Sequence, residues 1–205
     1  MKPVTDLIAW RDQNARGKEI WITEFGWDAS TKPNLTTGDG AKWKGNVSDE
    51  KQAQYLVRSY LVFSALAVDR AYMYFFNDQD EPSFHAASGL TRNFQPKPSF
   101  HAVAHLHRSL GDYRPSRVLS SKPGELFVYE YVHGTDPTKK VLVAWSPTGA
   151  DRKATAEVPL GKGKLLRAER MPLVEGDAPP VLVQVRAGAA SVDVEESPLY
   201  LWLQE

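Results

Sequence analysis

The sequence predicts a chain in two parts, an α/β segment followed by an all-β segment, with the change of pattern near Tyr113. Two observations carry that expectation. Up to about residue 113, helix-period and strand-period stretches alternate. Beyond it come seven short, largely alternating apolar runs separated by turn sequences. A third observation sets the class: 42% hydrophobic against 24% charged residues is the composition of a packed globular chain, and 205 residues allow one large or two modest domains.

The first part reads as helix, strand, helix, strand, helix. Residues 5–16 place Leu7, Ile8, Trp10 and Arg11 at helical spacing, and Gly17 supplies a stop. EIWITEFGW at 19–27 is β-branched and aromatic with little charge, which suits a buried strand. A polar loop over about 28–47 follows, with Pro33, Gly38, Gly40 and Gly45. Ser48 is then a good N-cap, and Asp49 and Glu50 put negative charge in the first turn of a helix whose apolar face includes Tyr55, Leu56, Tyr60, Val62, Phe63 and Leu66. RAYMYFFN at 70–77 predicts a second buried strand. After a loop over 78–96, Pro98 opens a helix running to about Leu110. Strands joined through a long helix cannot form a hairpin, so these two are expected to be parallel.

The second part predicts strands at 126–132, 140–146, 154–160, 164–171, 181–187, 190–196 and 198–203. Short strands at this spacing indicate an antiparallel sandwich, with Leu126, Val128, Leu142, Val143, Trp145, Leu201 and Trp202 divided between two faces. Gly111 and Pro115 mark the expected boundary at 111–117, giving domains of 1–113 and 114–205. The second is expected to fold on its own.

Composition removes several function classes. Lys and Arg total 25 and Asp and Glu total 25, divided 13 against 13 up to Tyr113 and 12 against 12 after it. Neither part carries the basic footprint of a nucleic-acid partner or the polybasic run of a membrane-surface binder. The longest apolar run, Tyr60–Val68, is far short of the ~20 residues of a membrane span. Without cysteine there is no disulfide, thiolate nucleophile or Cys-ligated metal, and no cofactor is expected. The first residues, MKPVTDLIAWRDQ, hold no apolar core of a secretory signal, so localisation is not read from this chain.

Glu24 is the sharpest candidate for chemistry. A carboxylate at the end of an apolar strand needs a partner or a purpose, and ligands bind at the carboxyl ends of parallel strands. A cap on the sheet edge, or a partner for an arginine, is the plain alternative. After the second strand, Asn77 and Asp78 are placed to hydrogen-bond a ligand. Trp27 and Phe76, with Tyr74 on the same side as Phe76, suit an aromatic platform. Packing of the sheet rim is the other reading of these aromatics. Asp78, Asp80 and Glu81 lack the spacing and glycine of a calcium loop and read as a solvated acidic loop. Four of the five histidines are close in sequence: His85, His101, His105 and His107. His101 and His105 have the i, i+4 spacing of a zinc pair, but no Glu lies between them, so no metal is expected. His85, in the loop after the second strand, is placed to reach a substrate. Sequons at Asn34 and Asn46 fall in one predicted loop.

Three stretches carry a resemblance. KEIWITEFGWD resembles the seventh-strand segment of clan A glycoside hydrolases, retaining (β/α)8-barrel enzymes in which the Glu between Thr and an aromatic–Gly pair is the catalytic nucleophile. SDEKQAQYLVRSYLVFSALAVDRAYMYFFNDQD resembles their seventh helix and eighth strand, and GLTRNFQPKPSFHAVAHL the approach to the last helix. The closing SPLYLWL resembles the final strand of the β-sandwich appended to many such barrels, family 39 among them. The resemblance implies the C-terminal part of a (β/α)8 barrel followed by a β-sandwich, Glu24 as nucleophile, and a carbohydrate substrate with its hydroxyls on Asn77 and Asp78 and a pyranose face on the aromatic platform. It also implies an acid/base carboxyl from an Asn–Glu pair on an earlier strand, and this sequence contains no Asn–Glu pair. The chain is therefore expected to be catalytically incomplete by itself and to self-associate through exposed strand edges, with a secreted or periplasmic parent left open. A non-catalytic carbohydrate-binding or interdomain module, and an assembly protein, are the alternatives.

Overall fold

The computed structural model describes residues 2–33, 45–146 and 152–205. The chain is mixed α/β, with few helices and several sheets, mostly antiparallel. Its first part holds helix α1 (Lys2–Asn14), strand β1 (Trp21–Phe25), helix α2 (Asp49–Ala65) and strand β2 (Arg70–Met73). β1 and β2 pair in parallel, as a connection through a helix requires, in the register Trp21↔Arg70, Ile22↔Ala71 and Phe25↔Met73, with an irregularity between Ile22 and Phe25. Ser48 caps α2, its side chain accepting from the Lys51 N–H. The outward turn of Phe25 fixes which side of the sheet α2 covers: its ring meets Tyr60 and Phe63 edge-on at centroid distances of 4.9 and 5.1 Å.

β2 is shorter than its apolar run. It stops at Met73, and after a cis peptide between Tyr74 and Phe75 the chain joins a separate small sheet of β3 (Asn77–Asp78), β4 (Thr91–Arg92) and β5 (Gln95–Pro96). Helix α3 (Pro98–Leu110) follows, with Pro at its start where no N–H is needed.

The expected linker at 111–117 is instead the beginning of a strand. β6 (Tyr113–Lys122) starts just after α3 and pairs with β7 (Leu126–His133) along its length. Pro and Gly in the sequence suggested punctuation, but Pro115 is accommodated beside a register irregularity between Pro115 and Arg117, where a ladder can spare an N–H. β8 (Lys139–Trp145), β9 (Ala154–Pro159), β10 (Lys164–Arg170), β11 (Gln184–Arg186), β12 (Ala189–Val194) and β13 (Leu199–Gln204) complete the chain. They form a five-stranded antiparallel sheet, β10-β13-β8-β7-β6, and a three-stranded one, β11-β12-β9.

Alternation along β7, β8 and β13 gives the large sheet two apolar faces. Val128, Leu142, Ala144, Leu199 and Leu201 pack on Val158, Val192 and Val194 of the small sheet. The opposite face, with Tyr129, Val143, Trp145 and Tyr200, packs on Leu56, Val57 and Leu61 of α2 and on Val103 and Leu106 of α3. The seven residues expected as core do divide between these faces. The core itself crosses the 113/114 seam, so one face of the large sheet is closed by the helices of the first part. Polar contacts lock the same seam: Gln54 donates to Ser197 at 3.1 Å, and Ser64 and Tyr131 share a hydrogen bond of 2.8 Å. Each fully buried large side chain here contributes about 1.5–3 kcal/mol.

His105, expected as an ordinary helix-face histidine, is buried between α3 and the sheet. It lies against Tyr200, with Nε2 3.2 Å from Ser109 Oγ and 3.7 Å from Glu169. Burial pushes its pKa down; Glu169 pulls it up, and Arg108 and Arg167 push it down further. The unfolded chain therefore binds the proton more readily than the native state, and stability is lost as pH falls below the ordinary imidazole value of ~6.5. Denaturation midpoints measured between neutral and mildly acidic pH are expected to fall in the wild type. In His105→Asn that part of the slope is expected to disappear.

Candidate active site

Glu24 is the penultimate residue of β1 and is exposed. Its neighbour Phe25 turns to α2, while Glu24 itself lies in the irregularity between Ile22 and Phe25 and stays open to solvent. Trp21 and Tyr72, with ring centroids 6.3 Å apart, are also exposed on this sheet. Among the described residues no hydrogen bond or ion pair engages Glu24. Gly26 is required next to it, because a Cβ there would stand 2.6 Å from the Tyr74 carbonyl oxygen. The same close approach lets the Tyr74 N–H donate to the Phe25 carbonyl at 2.8 Å.

Beyond the strand ends the structure separates the expected sugar-binding residues. Phe76 is 62% exposed and meets Phe100 edge-on at 6.5 Å. His85 is exposed with φ of +63°, its ring 5.9 Å from Tyr74. Asn77 is half-buried, and its amide oxygen accepts from Thr91 Oγ1 at 2.9 Å and the Phe94 N–H at 2.7 Å, which leaves its NH2 for other work. Trp27 is a correction: its ring packs on Tyr55 and Phe25 in the helix-side core, so it forms no platform with Phe76. The apolar run simply continues into the core beyond the strand.

Asp78 is the second correction. It is 1% exposed and ion-paired to Lys97 at 3.1 Å, and it also accepts from the Gly89 and Asp80 N–H groups. Lys97 is itself 2% exposed, and burial pushes its pKa down against the pull of Asp78. Asp80, expected in a solvated loop, is buried too. Burial pushes its carboxyl up, but bonds from Thr31 and Ser30 and the Arg92 guanidinium 3.0 Å away hold it below the usual carboxylate range. Of the acidic triplet only Glu81 is exposed, paired with Lys32 at 2.9 Å. Neither Asp78 nor Asp80 is therefore free to face Glu24 as a second carboxyl.

The network around these groups was not anticipated. Asp28, 3% exposed, accepts from the N–H groups of His85 (2.9 Å) and Ala87 (3.1 Å) and from Ser88 Oγ. Arg92 pairs with Asp49 at the start of α2, and Gln52 donates to the Trp27 carbonyl at 2.8 Å. In the sequence Lys97 stands only within GLTRNFQPKPSFHAVAHL, and Asp28 only as the last residue of KEIWITEFGWD. A charged residue on either side of an apolar run is the signal that was available for both.

Among the described residues no group of three or more His, Asp or Glu side chains is arranged to hold a metal. Of the sequons, Asn34 lies outside the described residues. Asn46 is half-buried and bonded in both directions to the Ser30 backbone.

No family model matches the sequence, and no curated protein sequence matches it. Solved structures do. A family 39 glycoside hydrolase from the gut symbiont Bacteroides cellulosilyticus WH2 aligns with 98% of the chain at a TM-score of 0.73 and 23% identity. A GH30 endoxylanase from Clostridium papyrosolvens C71 aligns with 98% at 0.61 and 10% identity, and CelM2, a bifunctional glucanase-xylanase from a metagenome library, with 99% at 0.60 and 13% identity. The chain spans 38%, 46% and 34% of those three chains. The likeness is one of fold, and it runs through both parts of the molecule to a portion of much longer glycoside hydrolases.

Proposed function

We propose that this chain is the nucleophile-bearing portion of a retaining glycoside hydrolase, with residues 1–113 as the last two strands and the helices of a (β/α)8 barrel and 114–205 as its appended β-sandwich. One observation carries the reading: Glu24 is an exposed carboxylate at the carboxyl end of a parallel strand, in a chain whose fold neighbours are glycoside hydrolases. The reaction would be double displacement. The Glu24 oxygen attacks the anomeric carbon while a second carboxyl protonates the departing glycosidic oxygen, and the C–O bond breaks. Water, deprotonated by that same carboxyl, then releases the sugar and regenerates Glu24. This chain supplies the nucleophile and not the acid, so alone it is expected to turn over no glycoside. The neighbours' names make xylan and glucan the polymers to try. The test joins or mixes the chain with a polypeptide carrying the remaining barrel strands and a strand-end acid. Aryl glycosidase activity absent from either piece and present in the combination supports the reading; none with a folded combination defeats it.

A binding module without catalysis fits less well. Both apolar faces of the large sheet are occupied, one by the helices and one by the small sheet, which leaves neither open to a glycan.

The same reading implies self-association when the chain is alone. Among the described residues no further strand joins β1 and β2, so both edges of that sheet are open, and α1 buries none of its residues. Open edges and exposed Trp10, Trp21 and Tyr72 are a template for pairing with another chain. Size-exclusion with light scattering is expected to show dimers or larger species at micromolar concentration. A clean monomer throughout that range refutes the expectation.

A further inference from the structure

The loop at 85–89 is fastened far more heavily than a surface loop requires. Asp28 takes the N–H groups of His85 and Ala87 and the Ser88 hydroxyl, and Asp78 takes the N–H of Gly89. The Ala87 carbonyl accepts from the Ala29 N–H at 3.0 Å and from Lys97 Nζ at 3.1 Å. Asp28, Asp78 and Lys97 are all buried, and burying charge is expensive unless each group is bonded. What these bonds hold out to solvent is one side chain. His85 sits at φ +63°, a conformation its bulky side chain does not choose unaided, with its ring beside Tyr74. Tyr74 in turn is tied to Phe25, the residue after Glu24.

We infer that Asp28 is a positioning residue: acting through the 85–88 backbone, it holds the His85 imidazole at the rim of the Glu24 site for contact with a saccharide hydroxyl. The saccharide part rests on the function proposed above; the positioning part does not. Unlike Asp78, which pairs with Lys97, Asp28 makes no ion pair among the described residues. Its charge is spent wholly on two backbone donors and one hydroxyl, so removing it releases the loop without leaving a counter-ion unpaired.

NMR of the full 205-residue chain separates the two parts. The Tyr74 and Phe84 rings, 5.9 and 3.5 Å from the His85 imidazole, are expected to shift its C–H resonances in the wild type. In Asp28→Asn these resonances are expected to move to the position of a free histidine, while the indole signals of Trp145 and Trp202 stay put. Ser88→Ala removes one bond of the three and is expected to give a smaller change in the same direction. It serves as the test if Asp28→Asn does not fold. His85 signals unchanged in the folded variants overturn the positioning role. Titration with xylobiose is the second arm. A wild-type His85 response that weakens in both variants supports the saccharide contact. No wild-type response, with the loop effect intact, overturns that contact and leaves Asp28 as the holder of a loop with a different purpose.

Discussion

Glu24→Gln is expected to lower turnover of aryl glycosides by several orders of magnitude in an enzyme completed with the missing barrel strands. The amide keeps the size and the hydrogen-bonding shape of the carboxylate and removes the charge and the nucleophilic oxygen. No glycosyl-enzyme can then form, and the first displacement loses its attacking group. Substrate binding relies on the rest of the site, so the effect belongs in kcat and not in KM. The exposure of Glu24 and its lack of partners among the described residues make the comparison clean: the substitution breaks no native contact, and folding is expected to be unchanged. Activity retained within about tenfold, equivalent to ~1.4 kcal/mol in the barrier, removes Glu24 from the mechanism.

Lys97→Met is expected to destabilise the fold by about 3–5 kcal/mol, the usual consequence of leaving one partner of a buried ion pair alone. Asp78 would keep two backbone donors but lose its cation, and the Ala87 carbonyl would lose one of its donors. The midpoint of chemical denaturation reads the change. A double variant, Lys97→Met with Asp78→Leu, replaces the pair with apolar groups and is expected to recover much of the loss, because the desolvation of both charges disappears together. A shift below about 1 kcal/mol for the single variant would show the pair to be no stronger than one at the surface.

Most of the element order was legible in the sequence, for physical reasons that differ between the parts. Ser48, Asp49 and Pro98 announce two helix starts because capping chemistry is local. The alternation along β7, β8 and β13 announces a sheet with two apolar faces, and both proved to be covered. What covers each face was not legible. Periodicity tells that Trp145 and Tyr200 need a partner layer, and nothing in it distinguishes a second sheet from a pair of helices far back in the chain. The packing of the helices across the 113/114 seam is illegible for that reason, and β6 is hidden because Pro115 and its polar neighbours mask a strand tolerated beside a register irregularity. The site divided in the same way. Glu24 stands out because a carboxylate is conspicuous in an apolar strand, whereas Asp78 looks solvent-bound until the buried ammonium of Lys97, 19 residues on, is brought against it. Trp27 misled because an aromatic at a strand end looks alike whether it faces a ligand or a helix.

The shared core has one more consequence. Helices α2 and α3 rest on the large sheet along one side, and at their amino ends they carry Gln52 and Ser99, which are bonded to each other at 2.9 Å behind Trp27. Lys97, at the threshold of α3, fastens the loop beneath His85. The candidate site is thus suspended from two beams whose foundation is the large sheet. Melting of that layer is therefore expected to release the helices that hold the site. A library aimed at hardier variants has its widest scope among the strands most distant from Glu24.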